Sequence, residues 1–284
     1  MSLGVLSNVA ATYAENNLNT TQASLQTVLQ QLSSGSRINS GSDDAAGLAI
    51  ATGLAAIQAA LTQSVQNANQ GIALLQTADG ALSQVTSLLD RATTLATEAS
   101  TGTLTTAEAA SANTEYQNII TEIGNIGSKT TFNSNSSLFS NTAVSVVLSD
   151  GTATGTTTFS EVVGTLTSAS VGQVSGTTAG QSFTGTDLTT TADSATALTD
   201  VGAAIADLAN QRGVIGADVN QLTAASNVAS TESVNLEAAQ SSVTATNYGQ
   251  ATSTLANLQV LSQTGIAALA QANSVQQEIL KLVQ

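Results

Sequence analysis

Residues 54–99, broken into sevens from Leu54, read LAAIQAA LTQSVQN ANQGIAL LQTADGA LSQVTSL LDRATTL ATEA. Leu54, Leu61, Ala68, Leu75, Leu82, Leu89 and Ala96 head the successive blocks. Three residues behind each stand Ile57, Ser64, Gly71, Ala78, Val85, Ala92 and Ala99. Side chains seven apart on a helix return to one face, so two such stripes describe a helix that packs along a seam. The chain contains no proline to interrupt it, and Gly71 and Gly80 only weaken it locally. Unbroken from Ser42 to Ser100, this helix would be about 88 Å long at 1.5 Å per residue. A compact globule of this chain length has a radius of gyration of only about 19 Å. The spacing therefore predicts a rod.

Working outward, three further segments can pack against that helix. Ala112, Tyr116, Ile119, Ile123 and Ile126 form a shorter helical stripe. Val201, Leu208, Ile215, Leu222, Ala229 and Leu236 recur every seven residues in the second half. Near the start, Ala11, Leu18, Leu25 and Leu32 do the same, offset by Ala14, Thr21 and Val28. The last segment answers with Leu258, Gly265, Ala272 and Ile279, offset by Leu261, Ala268, Val275 and Leu282. There Leu255, Ile266, Leu269 and Leu280 place apolar groups outside both stripes. A helix apolar on several faces needs several partners, which points to burial between copies of the chain.

Between the helical halves the composition turns to Ser, Thr and Gly. Val144–Leu148 reads as a strand and Asp150-Gly151 as a turn, with short strands expected in Phe159–Val163 and Gln173–Phe183. The segment is a small β-rich insert or, on composition alone, a Ser/Thr-rich loop without fixed structure. The expected fold is mainly α: a rod of long antiparallel coiled-coil helices, both termini at one end and the insert at the other. The expected parts are 1–40 with 245–284, 41–140 with 192–244, and the insert 141–191.

Composition narrows the chemistry. With no His or Cys among 284 residues, there is no imidazole base, thiol nucleophile, disulfide or zinc site of the usual ligand types. No catalytic residue, metal site or cofactor site is expected. The net charge is −14, and the only cations are Arg37, Arg91, Lys129, Arg212 and Lys281. Five scattered cations cannot neutralise a row of phosphates, so neither nucleic acid nor an anionic membrane surface is an expected partner. Ala45–Leu61, the most apolar stretch, is mostly alanine and falls short of a membrane span. Aromatics make up only 2% of residues, which suits thin helix seams rather than a thick core.

The junction before the long helix reads LSSGSRINSGSDDAAGLAI over Leu32–Ile50. Gly35 can end the first helix in a left-handed cap. Ser40 and Asp43 fit the S-x-x-[DE] capping box, and Asp44 adds negative charge to the first helical turn. This string closely resembles the N-terminal signature of bacterial flagellins, L-S-S-G-x-R-I-N-S-x-x-D-D-A-A-G-x-A-I-A. The resemblance continues through Asn67–Ile72, Thr77–Leu82 and Phe132-Asn133, and returns at Leu269–Asn273. The chain departs from the family at Ser134, where Gly is usual, at Gln276, where proline is common, and at Gln284, which replaces a terminal Arg.

The resemblance implies a structural subunit that polymerises into the flagellar filament for motility. It implies terminal helices lining a central channel, with seams at Leu18, Leu25, Leu32, Leu258, Leu261, Ile279 and Leu282. It implies a junction built on Arg37, Asn39, Ser40, Asp43, Asp44 and Tyr248, with Tyr248 packed against the Arg37 region and Arg37 a hydrogen-bond donor holding the bend. Flagellar hook–filament junction proteins share this terminal design and are the nearest alternative. The start MSLGVLSNVA lacks a basic leader, so generic rules give a soluble cytoplasmic protein. The resemblance instead implies export through the flagellar type III-like apparatus and an extracellular place. The implied partners are copies of itself, the export apparatus, an export chaperone and the filament cap. It further implies a contact with the flagellin-sensing Toll-like receptor through Arg91, Leu95 and Glu115. Asn135-Ser136-Ser137 matches the N-x-[ST] sequon, a short pattern, and the insert offers many hydroxyls for glycosylation.

Overall fold

A computed structural model describes residues 8–283, apart from 134–136, 141–142, 153–154 and 174–180. Asn135 and Ser136 of the sequon therefore lie outside the described residues. The fold is mainly α, with a few short antiparallel strands. The helices are α1 (Val9–Ser34), α2 (Ala45–Ser100), α3 (Thr106–Lys129), α4 (Thr191–Thr244) and α5 (Tyr248–Val283). Between α3 and α4 lie β1 (Ala143–Ser149), β2 (Thr156–Val162), β3 (Thr165–Leu166), β4 (Ser170–Gln173) and β5 (Gln181–Ser182). The chain divides into two compact units, Met1–Ala56 with Asn235–Gln284, and Ile57–Val234. The divisions between these units fall inside α2 and α4, and the two junction loops are bonded to each other within the first unit.

In the second unit the heptad stripes behave as their spacing predicts. From Leu61 to Ala99 both stripes of α2 are buried throughout. Leu82, Val85, Leu89, Ala92 and Ala96 pack into one core with Tyr116, Ile120 and Ile123 of α3 and Val201, Ala204 and Leu208 of α4. Arg212 of α4 donates from Nε to Asp79 Oδ1 at 2.7 Å and from Nη2 to Oδ2 at 3.3 Å, which sets α4 against α2. In the same stripe of α4, Gln211 is buried and its amide nitrogen and oxygen have no hydrogen-bond partner among the described residues. A buried amide left unpaired costs about 1–3 kcal/mol.

The insert is folded rather than a bare loop. β1 pairs antiparallel with β2, Val146 facing Phe159, and the turn between them carries Gly151 at φ 80°. The other edge of β1 is closed by a helix. Ser64 of α2 donates to Ser149 O at 2.6 Å and accepts from Ser149 N at 2.7 Å, while Asn67 Nδ2 donates to Val147 O at 2.9 Å. β3, β4 and β5 form a second small antiparallel sheet. β3 crosses α3 so closely that a Cβ at Gly127 would strike the carbonyl oxygen of Leu166.

By length and composition, α2 is apolar enough to cross a bilayer, which the expectation drawn from Ala45–Leu61 did not anticipate. Alanine, the commonest residue of Ala45–Leu61, carries less apolar area than the Leu, Ile, Val and Phe that favour insertion.

Two glycines give opposite expectations. Gly127→Ala should destabilise the second unit by about 1–3 kcal/mol through its clash with β3. Gly80→Ala, with open space around its Cβ, should stabilise it by about 0.5–1 kcal/mol. Urea unfolding followed by circular dichroism would show midpoints moving in opposite directions.

Candidate functional site

Carbonyls at a helix C-terminus lack intrahelical donors, and two helices, α1 and α4, end beside each other in the first unit. Gly35 closes α1 at φ 71°, the left-handed conformation that favours glycine. Ser36 then pairs with Ala245 as an isolated antiparallel bridge. Arg37 N donates to Thr244 O at 2.6 Å, and Thr246 N donates to Gly35 O at 3.1 Å. The Arg37 side chain donates from Nη2 to Val243 O at 3.0 Å. Asn39 Nδ2 donates to Ser36 O at 2.9 Å. Arg37 thus bonds the end of α4.

Tyr248 opens α5, and its hydroxyl lies over Gly35, 2.8 Å from where a Cβ would stand. It is 56% exposed. The tyrosine hydroxyl therefore lies on the glycine cap, two residues before Arg37, whose side chain bonds the end of α4.

The capping expectation is corrected one residue along. Ser40–Asp43 form a turn ahead of α2, and Ser40 Oγ is bonded to Ser42 Oγ and Asp43 rather than to an α2 amide. Asp44 caps the helix instead. Its Oδ1 accepts from Gly47 N at 2.8 Å, and its carbonyl accepts from Leu48 N at 2.9 Å. Asp44 stands before the first turn, not in it, because α2 begins at Ala45 rather than Ser42. Asp43 Oδ2 accepts from Asn39 N, Ser40 N and Ser40 Oγ at 2.8–3.0 Å. Those bonds, led by the one from Asn39 N, hold its carboxyl below the usual carboxylate range.

Reading by motif missed four residues that complete the junction. Gln31 Nε2 donates to Arg37 O at 3.1 Å, and Thr246 Oγ1 donates to Gln31 O at 3.3 Å. Ser36 Oγ donates to Ile38 O at 2.8 Å and to Thr244 O at 3.2 Å. Ile38 is buried over Gly47, where a Cβ would collide with it. An apolar residue alone in a polar loop was the available signal for Ile38. The other three bond through hydroxyl and amide groups, which are common along this chain.

The terminal pair α1–α5 runs antiparallel: Asn8 Nδ2 at the start of α1 donates to Ala272 O near the end of α5, at 3.0 Å. On α1, Leu18, Leu25 and Leu32 are half-buried with Ala11, Ala14, Thr21 and Val28, as the heptads predict. On α5 the covered positions include Ala251, Leu255, Leu258, Ser262, Gly265, Leu269 and Ala272. Leu258 belongs to that seam, but Leu261 is 56% exposed. Leu255 and Leu269, expected outside the stripes, lie in the seam. The reason is that Leu18 sits over Gly265, whose added Cβ would be 3.3 Å from Leu18 Cδ1, and this fixes which side of α5 faces α1. The side chains of Ile279 and Leu282 lie outside the described residues.

In the second unit, Arg91 and Glu115 form a two-pronged ion pair between α2 and α3, at 2.7 and 3.0 Å. The Arg91 hydrogen bond holds the Glu115 carboxyl below its ordinary range. Leu95, where the resemblance implies a receptor contact, is only 3% exposed within the subunit and belongs to the core. The heptad spacing that marks Ala92 and Ala96 as buried carries Leu95 inward with them. No group of three or more metal-ligating side chains occurs among the described residues.

The bacterial flagellin N-terminal helical region matches residues 5–143, and the bacterial flagellin C-terminal helical region matches residues 198–283. The chain belongs to the bacterial flagellin family. The two matches flank the β insert and take in both sides of the junction. Flagellin 1 of Proteus mirabilis is 39% identical over 133 residues, 47% of this chain and 36% of the relative. A flagellin of Listeria monocytogenes is 29% identical across 95% of this chain and 93% of the relative. The chain thus spans about a third of the Proteus flagellin and nearly all of the Listeria one. A crystal structure of Bacillus cereus flagellin aligns at 28% identity over 57% of this chain and 88% of that one, with a TM-score of 0.47.

Two outcomes test the junction. Asp44→Ala should cost about 0.5–2 kcal/mol of helix stability and Ser40→Ala less, measured by thermal unfolding. Asp43 has a depressed folded pKa, so its stabilising contribution is full above the unfolded value near 3.9 and is lost as pH falls below that. A carbon-13 titration should place its midpoint below about 3.9, and a midpoint at or above that value would remove this role.

Proposed function

We propose that the chain is a structural subunit that polymerises into the bacterial flagellar filament, with no catalytic step. Membership of the flagellin family supports a filament subunit. The observation that carries the mechanism is the coverage of the terminal pair. α1 and α5 meet along one narrow seam, yet Val260, Leu261, Ile266 and Val275 stand exposed on α5, and Val9, Tyr13 and Leu29 on α1. Water-exposed aliphatic groups at this density along two helices are stabilised by burial against further helices of the same kind. Copies of the chain supply those helices, so the seam within a subunit sets up the seams between subunits. In this reading Arg37, Asn39, Ser40, Asp43, Asp44 and Tyr248 hold the connection between the terminal pair and the helices that follow.

The same reading places the protein outside the cell, reached through the flagellar export apparatus, with an export chaperone and the filament cap as partners. A terminal pair with few buried side chains fits passage in an open form, since most helical stability in proteins comes from tertiary packing.

The test is assembly itself, with the exposed face altered. Ile266→Asp should leave the far-ultraviolet circular dichroism of the monomer unchanged and abolish filaments seen by negative-stain microscopy under polymerising conditions. Limited proteolysis should trim both termini from wild-type monomer and spare them in filaments. Normal filaments from Ile266→Asp, or termini equally resistant in monomer and filament, would contradict the proposal.

A further inference from the structure

The sequence contains two Asp-Gly pairs, Asp79-Gly80 and Asp150-Gly151. An aspartate before a glycine is prone to attack on its side-chain carboxyl by the next backbone nitrogen, because glycine has no Cβ to block the approach. The fold treats the two pairs differently. Asp79-Gly80 lies within α2, where helix hydrogen bonds fix the backbone, and Arg212 holds the carboxylate through bonds of 2.7 and 3.3 Å. Asp150-Gly151 lies between β1 and β2, with Gly151 exposed and at φ 80°. Gly151 N donates to the Ser149 hydroxyl at 3.0 Å. Asp150 Oδ1 accepts from Thr152 N and from Thr152 Oγ1, each at 2.8 Å. The first of these is the bond that an aspartate in a turn makes to the backbone two residues on. Together they favour the ionised carboxyl and, led by the bond from Thr152 N, hold it below the usual carboxylate range.

We propose that Asp150-Gly151 is a self-modifying site, where the folded chain converts Asp150 to isoaspartate without an enzyme at a rate set by Thr152. Gly151 N bonds to Asp150 Cγ, and the carboxyl hydroxyl departs with the amide proton as water. Water then adds to the main-chain carbonyl carbon of Asp150 in the resulting five-membered imide and breaks that carbon's bond to Gly151 N. The chain now runs through the former side-chain carbonyl, and the former main-chain carbonyl is a free carboxylate. One water leaves and one enters, so mass and charge are unchanged and no oxidant or cofactor is used. The turn gains one backbone atom. The first step needs the protonated carboxyl, the form that the two Thr152 bonds disfavour, so Thr152 slows the conversion without closing the site. At Asp79 the helix backbone and the Arg212 pair close it. The inference concerns the folded second unit and does not rest on polymerisation.

Ageing the full-length protein for several weeks at physiological temperature, folded and in urea, tests it. Peptide mapping with electron-transfer fragmentation tells isoaspartate from aspartate at each position. In the folded wild type isoaspartate should accumulate at Asp150 and stay at background at Asp79, whereas in urea both should convert. Thr152→Val should raise the folded rate at Asp150 about three- to tenfold, the effect of one hydrogen bond. In urea the variant should match the wild type. Asp150→Glu, whose longer side chain does not close the five-membered ring, should leave position 150 unmodified. Background levels at Asp150 in the folded wild type, or equal conversion at Asp79 and Asp150, would overturn the proposal. A Thr152→Val rate equal to wild type, or a difference that persists in urea, would overturn the role of Thr152. The comparison of Asp150 with Asp79 in the wild type stands as a test even if a variant does not fold.

Discussion

A heptad stripe is narrow: it covers one face of a helix and leaves the rest to solvent or to other partners. The architecture follows from how many partners each stripe finds. In the second unit α2 meets α3, α4 and the strands of the insert, and its two stripes are buried from Leu61 to Ala99. In the first unit the helix packed along α1, among the described residues, is α5, and the α1 seam residues stay half-exposed. The same kind of sequence pattern therefore yields a core in one unit and an unfinished interface in the other. Alanine, glycine and threonine allow close helix approach, but they add little area apiece, so the terminal seam alone gives modest stability.

The helices and their buried stripes were legible in the sequence because a seven-residue period has one geometric meaning. The positions from Leu61 to Ala99 and from Val201 to Leu222 fall where the spacing puts them. The register of α5 was not legible. Leu258 and Gly265 belong equally to a stripe completed by Leu261 and Ala268 or to one completed by Leu255 and Ser262. The choice is made by Leu18 seated over Gly265, a contact between residues far apart in sequence.

Capping chemistry gave a mixed result with a clear cause. S-x-x-D at Ser40–Asp43 has the letters of a capping box but serves a turn ahead of the helix. Thr105 and Glu108 form a full reciprocal box at the start of α3. The short motif does not say where the helix begins, and Asp44 occupies the capping position one residue before Ala45. The junction as a whole was legible as a string and not as a mechanism, since most of its bonds join a side chain to a backbone group, and every residue possesses such a group. The few cations are used sparingly and locally: Arg37, Arg91 and Arg212 each hold one helix end or one helix pair.

The closed edge of β1 has a consequence for the chain before it is folded. Ala143–Ser149, AVSVVLS, is uncharged, rich in valine and free of proline, the composition from which cross-β aggregates grow. In the folded protein β2 occupies one edge of that strand, while Ser64 and Asn67 occupy the other with side-chain hydrogen bonds. A strand with both edges taken cannot recruit an identical strand from another molecule. The polar pair on α2 thus works as a gatekeeper that acts across the fold rather than along the sequence. Aggregation pressure is confined to the interval in which the hairpin has left α2, and the helix that builds the core also guards the segment most able to misassemble.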